Sequence, residues 1–237
     1  LATGAAGAAG RPFVRPKGPL SREDAQRFVL DLVNRDRALY GLAPVLWDET
    51  AASAGQRHAD DMAKSGYTGH VGTDGSVPEQ RYTEAGGDGM VLENAGCFAD
   101  ARRRQLDPAP RFSVEGLEKI ERAFLDEVPP FDGHRKNILT SAHTSFGVGL
   151  SLTMGLAIPC MAQEFVDAWG EYGPLPSKAR VGAKIRVEGT LRAPAVVAGV
   201  GLSRVDKARP VAPAELLRVT SYTIPKPYRT YFPTGFK

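Results

Sequence analysis

Apolar residues first recur at helical spacing after Ser21, where Phe28, Val29, Leu32 and Val33 share one face of a segment that runs to Ala38. Ser21 with Asp24 three residues on forms an N-terminal capping box, so the pattern predicts an amphipathic helix of about five turns, stopped by Gly41 and Pro44. Asp48 caps a second helix through Ala51, Ala54, His58, Met62 and Lys64, which Gly66 closes. Residues 67–75 have no period and predict a loop, and Pro78 opens a short helix, PEQRYTEAG. After the GGDG turn, MVLENAGCFA predicts a strand with polar interruptions. Val114, Leu117, Ile120, Phe124 and Val128 then form a helical stripe that Pro129 and Pro130 end. SFGVGLSLTMG and AIPCMAQEFVDAW predict an antiparallel hairpin. Helices thus precede strands without βαβ alternation, which predicts an α+β fold.

The last sixty or so residues differ in kind. AKIRVEG, AVVAGVGLSRV, LLRVTSYTI and YRTYF are short β-patterned runs between Pro and Gly, and predict a small β appendage, either extending the first domain or forming a compact sandwich of its own. At the other end, residues 1–19 are rich in Gly, Ala and Pro and predict a flexible lead. The first residue is Leu, as expected of a chain trimmed after export, although other trimming leaves the same trace. The expected organisation is a lead over 1–19, a main domain over 20–173 and a basic β-rich extension over 174–237.

Composition narrows the class. With 237 residues, 42% hydrophobic and 24% charged, the chain is neither disordered, collagenous nor a disulfide-dense miniprotein, and no apolar run is long enough to span a bilayer. The net charge of +3 divides unevenly: residues 174–237 hold 12 Lys and Arg against 3 Asp and Glu, and the rest hold 18 against 24. A basic extension on an acidic body suits an acidic partner, while a solvated basic face on a small β unit is the plainer reading. The basic residues are dispersed, and no nucleic-acid signature accompanies them. GGDG precedes a strand rather than a helix, so it is no phosphate cradle.

All four histidines, His58, His70, His134 and His143, lie in the acidic body. His58, on the second helix, is expected as a packed core histidine, and His143, in a polar turn, as a surface one. His70 and His134 are each expected in a glycine-bearing loop, YTGHVG and FDGHRKN, where functional side chains concentrate. Glu93 and Glu127 are the carboxylates placed to complement them, since two imidazoles and two carboxylates can hold a divalent metal or orient a water. No GxSxG occurs, and Ser141 and Ser145 have no catalytic context beyond His143. Cys97 and Cys160 lack CxxC spacing: a disulfide is expected in an exported protein, and two buried thiols otherwise. As a lone thiol Cys97 is a candidate nucleophile.

The string VNRDRALYGLAPVLWDETAASAGQRHADDMAKSGYTGHVGTDG, followed in order by LENAG, GHRKNIL and FGVGLSL, resembles the CAP superfamily of cysteine-rich secretory, antigen 5 and pathogenesis-related 1 proteins, in its bacterial SCP branch. The likeness covers about residues 22–170. It implies an exported protein with a three-layer α/β/α sandwich around a central antiparallel sheet, and a tetrad in a cleft onto which His70, Glu93, Glu127 and His134 map. Glu127 follows Phe124 where the family has Trp, and many bacterial members lack this Glu. The resemblance says nothing about the basic extension. It implies a non-catalytic protein that binds a lipid, peptide or metal ion. The alternatives are a metal-assisted hydrolase, with His70 and His134 holding zinc, or a subunit of an envelope assembly docking through its basic tail. Two imidazoles are one ligand fewer than catalytic zinc normally has.

Overall fold

Each helix start expected from capping is built as its side chains require. The computed structural model describes residues 13–219 and 221–233, so residues 1–12 of the lead, together with Thr220 and residues 234–237, lie outside the described residues. In α1 (Arg22–Leu39) the Ser21 hydroxyl accepts the Asp24 N–H at 3.2 Å. Leu46–Trp47 form a short strand, β1. In α2 (Glu49–Ser65) Asp48 accepts the Ala51 N–H at 2.9 Å, and Gly66 ends the helix in the left-handed conformation, φ 67°. Next come α3 (Pro78–Glu84) and β2 (Met90–Gly96).

The stripe expected to reach Val128 stops earlier, since α4 covers Val114–Leu125 and Val128 is exposed. The segment carrying His134, expected as a loop, is a short helix, α5 (Gly133–Ile138). The hairpin strands are β3 (Ser145–Ser151) and β4 (Cys160–Asp167), paired antiparallel from Ser145↔Val166 to Ser151↔Cys160.

The main sheet has the order β1-β3-β4-β2. Its three long strands are antiparallel as expected, but β1 pairs with β3 in parallel, so the sheet is mixed. Layers follow from the alternation of side chains along each strand. Phe146, Val148, Leu150, Met161 and Phe165 join Phe28, Leu32, Leu117 and Phe124 in the core on the α1, α4 and α5 side. On the other face, α2 packs through small residues, among them Ala51, Ala54 and Ala59, and α3 packs through Tyr82. There the contact is backbone on backbone: a Cβ added at Gly149 would lie 2.1 Å from the Gly55 carbonyl carbon, so neither glycine can grow without parting helix from sheet. A disulfide joins Cys97, just past β2, to Cys160 at the start of β4, with Cα atoms 4.2 Å apart. Cys97 is therefore no lone nucleophile.

Among the described residues, the C-terminal strands do not form a compact sandwich. β5 (Gly170–Tyr172) pairs with β6 (Gly189–Leu191) across the expected boundary at Gly173, and β7 (Val200–Leu202) pairs with a strand near the end, as two separate two-stranded ladders. Within the run LLRVTSYTI, expected as a strand, Leu216 instead closes a short helical turn, α6 (Pro213–Leu216), and inserts among Ala59, Met62 and Tyr67. The last strand is β8 (Arg229–Tyr231). Among the described residues no helix is long and apolar enough to cross a membrane.

Candidate functional site

Two adjacent residues of edge strand β2 point to opposite faces of the sheet and so organise both layers around its rim. Glu93 faces the α2–α3 side. Its carboxylate accepts from His70 Nδ1 at 2.9 Å and from an Arg81 terminal nitrogen at 2.7 Å, and His58 Nε2 lies 3.6 Å away. Arg81 also donates to the carbonyls of Ser76 and His70 at 2.9 and 3.1 Å, so it pins the loop that carries His70. Asn94 faces the other way. It donates to the His134 carbonyl at 3.1 Å and to Gln163 at 3.0 Å, and accepts from Asn137 at 2.9 Å, which seats α5 against the strand.

Glu127 holds the second imidazole. It accepts His134 Nδ1 at 2.6 Å and the His134 backbone N–H at 2.9 Å, and the Phe124 ring packs against His134 with centroids 4.5 Å apart. The two histidine rings are 6.5 Å apart. Between them lies a cavity of about 330 Å³ lined by His70, Glu93, Glu127, Phe131, Gly133, His134 and Asn137. All four residues expected to form the site therefore converge, as two imidazole–carboxylate pairs. A carboxylate at Nδ1 can only accept, so each neutral imidazole has its proton there and a lone pair on Nε2. Neither Nε2 has a protein partner among the described hydrogen bonds.

Beneath His70 lies a buried charge cluster. Burial alone would raise the Glu93 carboxyl, but the Arg81 charge and the hydrogen bond from His70 outweigh it and hold Glu93 well below the ordinary carboxylate range. Of these, Arg81 is the permanent cation. His58 is pushed down by burial; it donates Nε2–H to the Gly69 carbonyl at 2.7 Å, and its Nδ1 is buried without a partner, which fits a neutral ring. Glu164 sits directly opposite Glu93 in the β2–β4 register, fully buried. Burial, then the Glu93 charge, push it well above its usual value, so Glu164 is the protonated member and the donor that two facing carboxyls need. Below His134, Gln163 donates to Glu121, whose burial pushes its carboxyl up to about 8.

The matching sequence profile settles the family: the cysteine-rich secretory protein family matches residues 30–154, more than half of the chain. The chain belongs to this family. It is 27% identical over 145 residues to the uncharacterized membrane protein YlbC of Bacillus subtilis (strain 168), a match over 61% of this chain and 35% of that one. The chain thus spans about a third of the length of that curated relative. Two solved structures are similar, each with a TM-score of 0.46. One is an extracellular protein containing a SCP domain from Bacillus anthracis str. Ames, at 22% identity over 63% of this chain and 45% of that one. The other is an outer surface protein from Borrelia burgdorferi, at 14% identity over 64% of this chain and 98% of that one.

In this family member a zinc ion would find an incomplete donor set. His70 and His134 offer two imidazole nitrogens, both nearby carboxylates are occupied by their histidines, and among the described residues no group of three His, Cys, Asp or Glu could hold a metal ion. The set does not fit a resident metal. His143, expected at the surface, is buried: Nδ1 bonds Asp167 at 2.6 Å and its ring packs on Phe165, so it is a structural residue of the hairpin. His58 is a core histidine as expected, but one that borders the site. Arg81 and Glu164 belong to no sequence motif of the site. Only the register opposing Glu93 to Glu164, and the turn between α3 and the His70 loop, reveal them.

Proposed function

We propose that this family member is an exported, non-catalytic binding protein whose cleft takes a hydrogen-bonding group of a peptide or lipid between His70 and His134. One observation carries the reading: two imidazoles, each fixed at Nδ1 by its own carboxylate, leave both Nε2 atoms to a single cavity. Neutral, each Nε2 accepts a hydrogen bond; protonated, it donates one, with the charge balanced by the carboxylate behind it. Binding is favoured over hydrolysis by the lining, which holds no Ser, Thr or Cys, and by a donor set too small for catalytic zinc. Export is supported by the disulfide, which persists in oxidising compartments.

The test is titration of wild type and the His70→Ala/His134→Ala variant with a panel of phospholipids, sterols and peptides, and separately with zinc chloride. Loss of lipid or peptide binding in the variant supports the reading; equal binding by both proteins removes the cleft from it. Chelator-sensitive turnover of a peptide or ester would favour the hydrolase instead.

A further inference from the structure

The segment after β7 lies outside the family match, yet it returns to the rim of the cleft. Leu216 is its anchor, buried among Ala59, Met62, Tyr67, Ala95 and Ala162, with Val211 and Val219 packed beside it. The Val211 N–H donates to the Thr73 carbonyl at 2.8 Å, so the segment is hydrogen-bonded to the loop that carries His70. Two glycines of that loop make room for it. A Cβ at Gly75, where φ is +81°, would lie 2.2 Å from the Arg209 carbonyl oxygen, and one at Gly69, where φ is +138°, would lie 3.3 Å from that of Val219. Beyond the anchor, Tyr222 reaches α3, where its hydroxyl donates to the Glu79 carboxylate at 2.9 and 3.0 Å. Its ring meets the His70 ring edge-on, with centroids 6.0 Å apart. Burial, and then the Glu79 charge, raise the phenol above its usual range, so it remains a donor.

The two ends of the cleft therefore differ: among the described residues, Phe124 backs His134, whereas His70 is met from outside by Tyr222. We propose that residues 209–219 and 221–225 are a built-in cover over the His70 end of the cleft, with Tyr222 as the shielding side chain that a ligand reaching His70 displaces. Most described residues past Leu216 are exposed, so release of Tyr222 costs its bond to Glu79 and its ring contact while the anchor stays seated. The displacement rests on the binding reading above; the shielding does not.

Diethyl pyrocarbonate, which acylates an accessible imidazole nitrogen, probes the shielding on the full chain without any ligand, with His70 and His134 resolved by peptide mass spectrometry. In Tyr222→Ala the His70 rate rises by about threefold or more while the His134 rate stays within about twofold of wild type. Tyr222→Phe, which keeps the ring and loses the bond to Glu79, gives a smaller rise, and Glu79→Gln one no larger than that. Tyr222 is only partly buried, and an unchanged circular dichroism spectrum checks that the fold survives. Equal His70 rates in wild type and Tyr222→Ala overturn the cover. If His70 is exposed in Tyr222→Ala but ligand binding ignores His70→Ala/His134→Ala, the shielding stands and the binding reading falls.

Discussion

The two ends of the cleft present the same pair, an imidazole held at Nδ1 by a glutamate, on opposite foundations. At the His70 end the glutamate is fully buried and ionised, matched by Arg81 and faced by a protonated Glu164. At the His134 end Glu127 is part-exposed just beyond α4, and the support underneath is a chain of neutral amides, Asn94 and Gln163, ending on the buried Glu121. One end thus places its charge inside the fold and the other at its surface. A carboxylate that positions a ligand-facing imidazole can be either a structural residue or a replaceable one, depending on where its counter-charge sits.

Removing Arg81 tests that contrast most severely. Arg81→Ala leaves the buried Glu93 without its permanent counter-charge, held by His70 alone, and is expected to cost about 3–5 kcal/mol in chemical denaturation. A loss under about 1 kcal/mol would mean that the ion pair is not what holds this end. Next in size is the disulfide at the join of β2 and β4: Cys97→Ser/Cys160→Ser is expected to lose about 2–4 kcal/mol.

The neutral foundation of the His134 end has a pH signature. The folded Glu121 carboxyl titrates at about 8 against an ordinary value of 4.5, so the native state binds this proton more tightly than the unfolded chain does. Its stabilising contribution is present in full below the unfolded value and is lost as pH rises through the folded one. Glu121→Gln keeps a neutral group there, and should flatten the decline of stability between about pH 5 and 8 by up to about 1.4 kcal/mol per pH unit. Glu164 acts in the same direction, so some slope survives. An unchanged slope would show that Glu121 is ionised in the fold.

Smallest in stability is Glu127→Gln, expected to cost no more than about 1 kcal/mol because the pair is part-exposed, yet to weaken ligand binding by loosening His134. A large loss of stability there would erase the contrast between the two ends.

Much of this architecture was legible from local signals, because capping by Ser21 and Asp48, the Gly66 stop and the β3–β4 pattern are set by neighbours in sequence. The pairs His70 with Glu93 and His134 with Glu127 were legible only as a set of motifs. What sequence could not show depends on partners far along the chain. His143 looked like a turn residue because its partner Asp167 is 24 positions away. Glu164 looked like a polar position in a strand until the register set it against Glu93. In the tail, apolar residues around Leu216 carry a β pattern, but the interior opened by Ala59 and Ala95 captures that leucine and overrides local propensity.

The central claim, that each carboxylate fixes its histidine so that both Nε2 atoms face one cavity, is tested most directly by nitrogen-15 NMR of the two imidazoles, recorded at a pH high enough to make both neutral. The Nδ1–H tautomer is expected at both His70 and His134, with the two Nε2 resonances moving together when a ligand binds. An Nε2–H tautomer at either histidine, or a ligand that moves neither resonance, would contradict it.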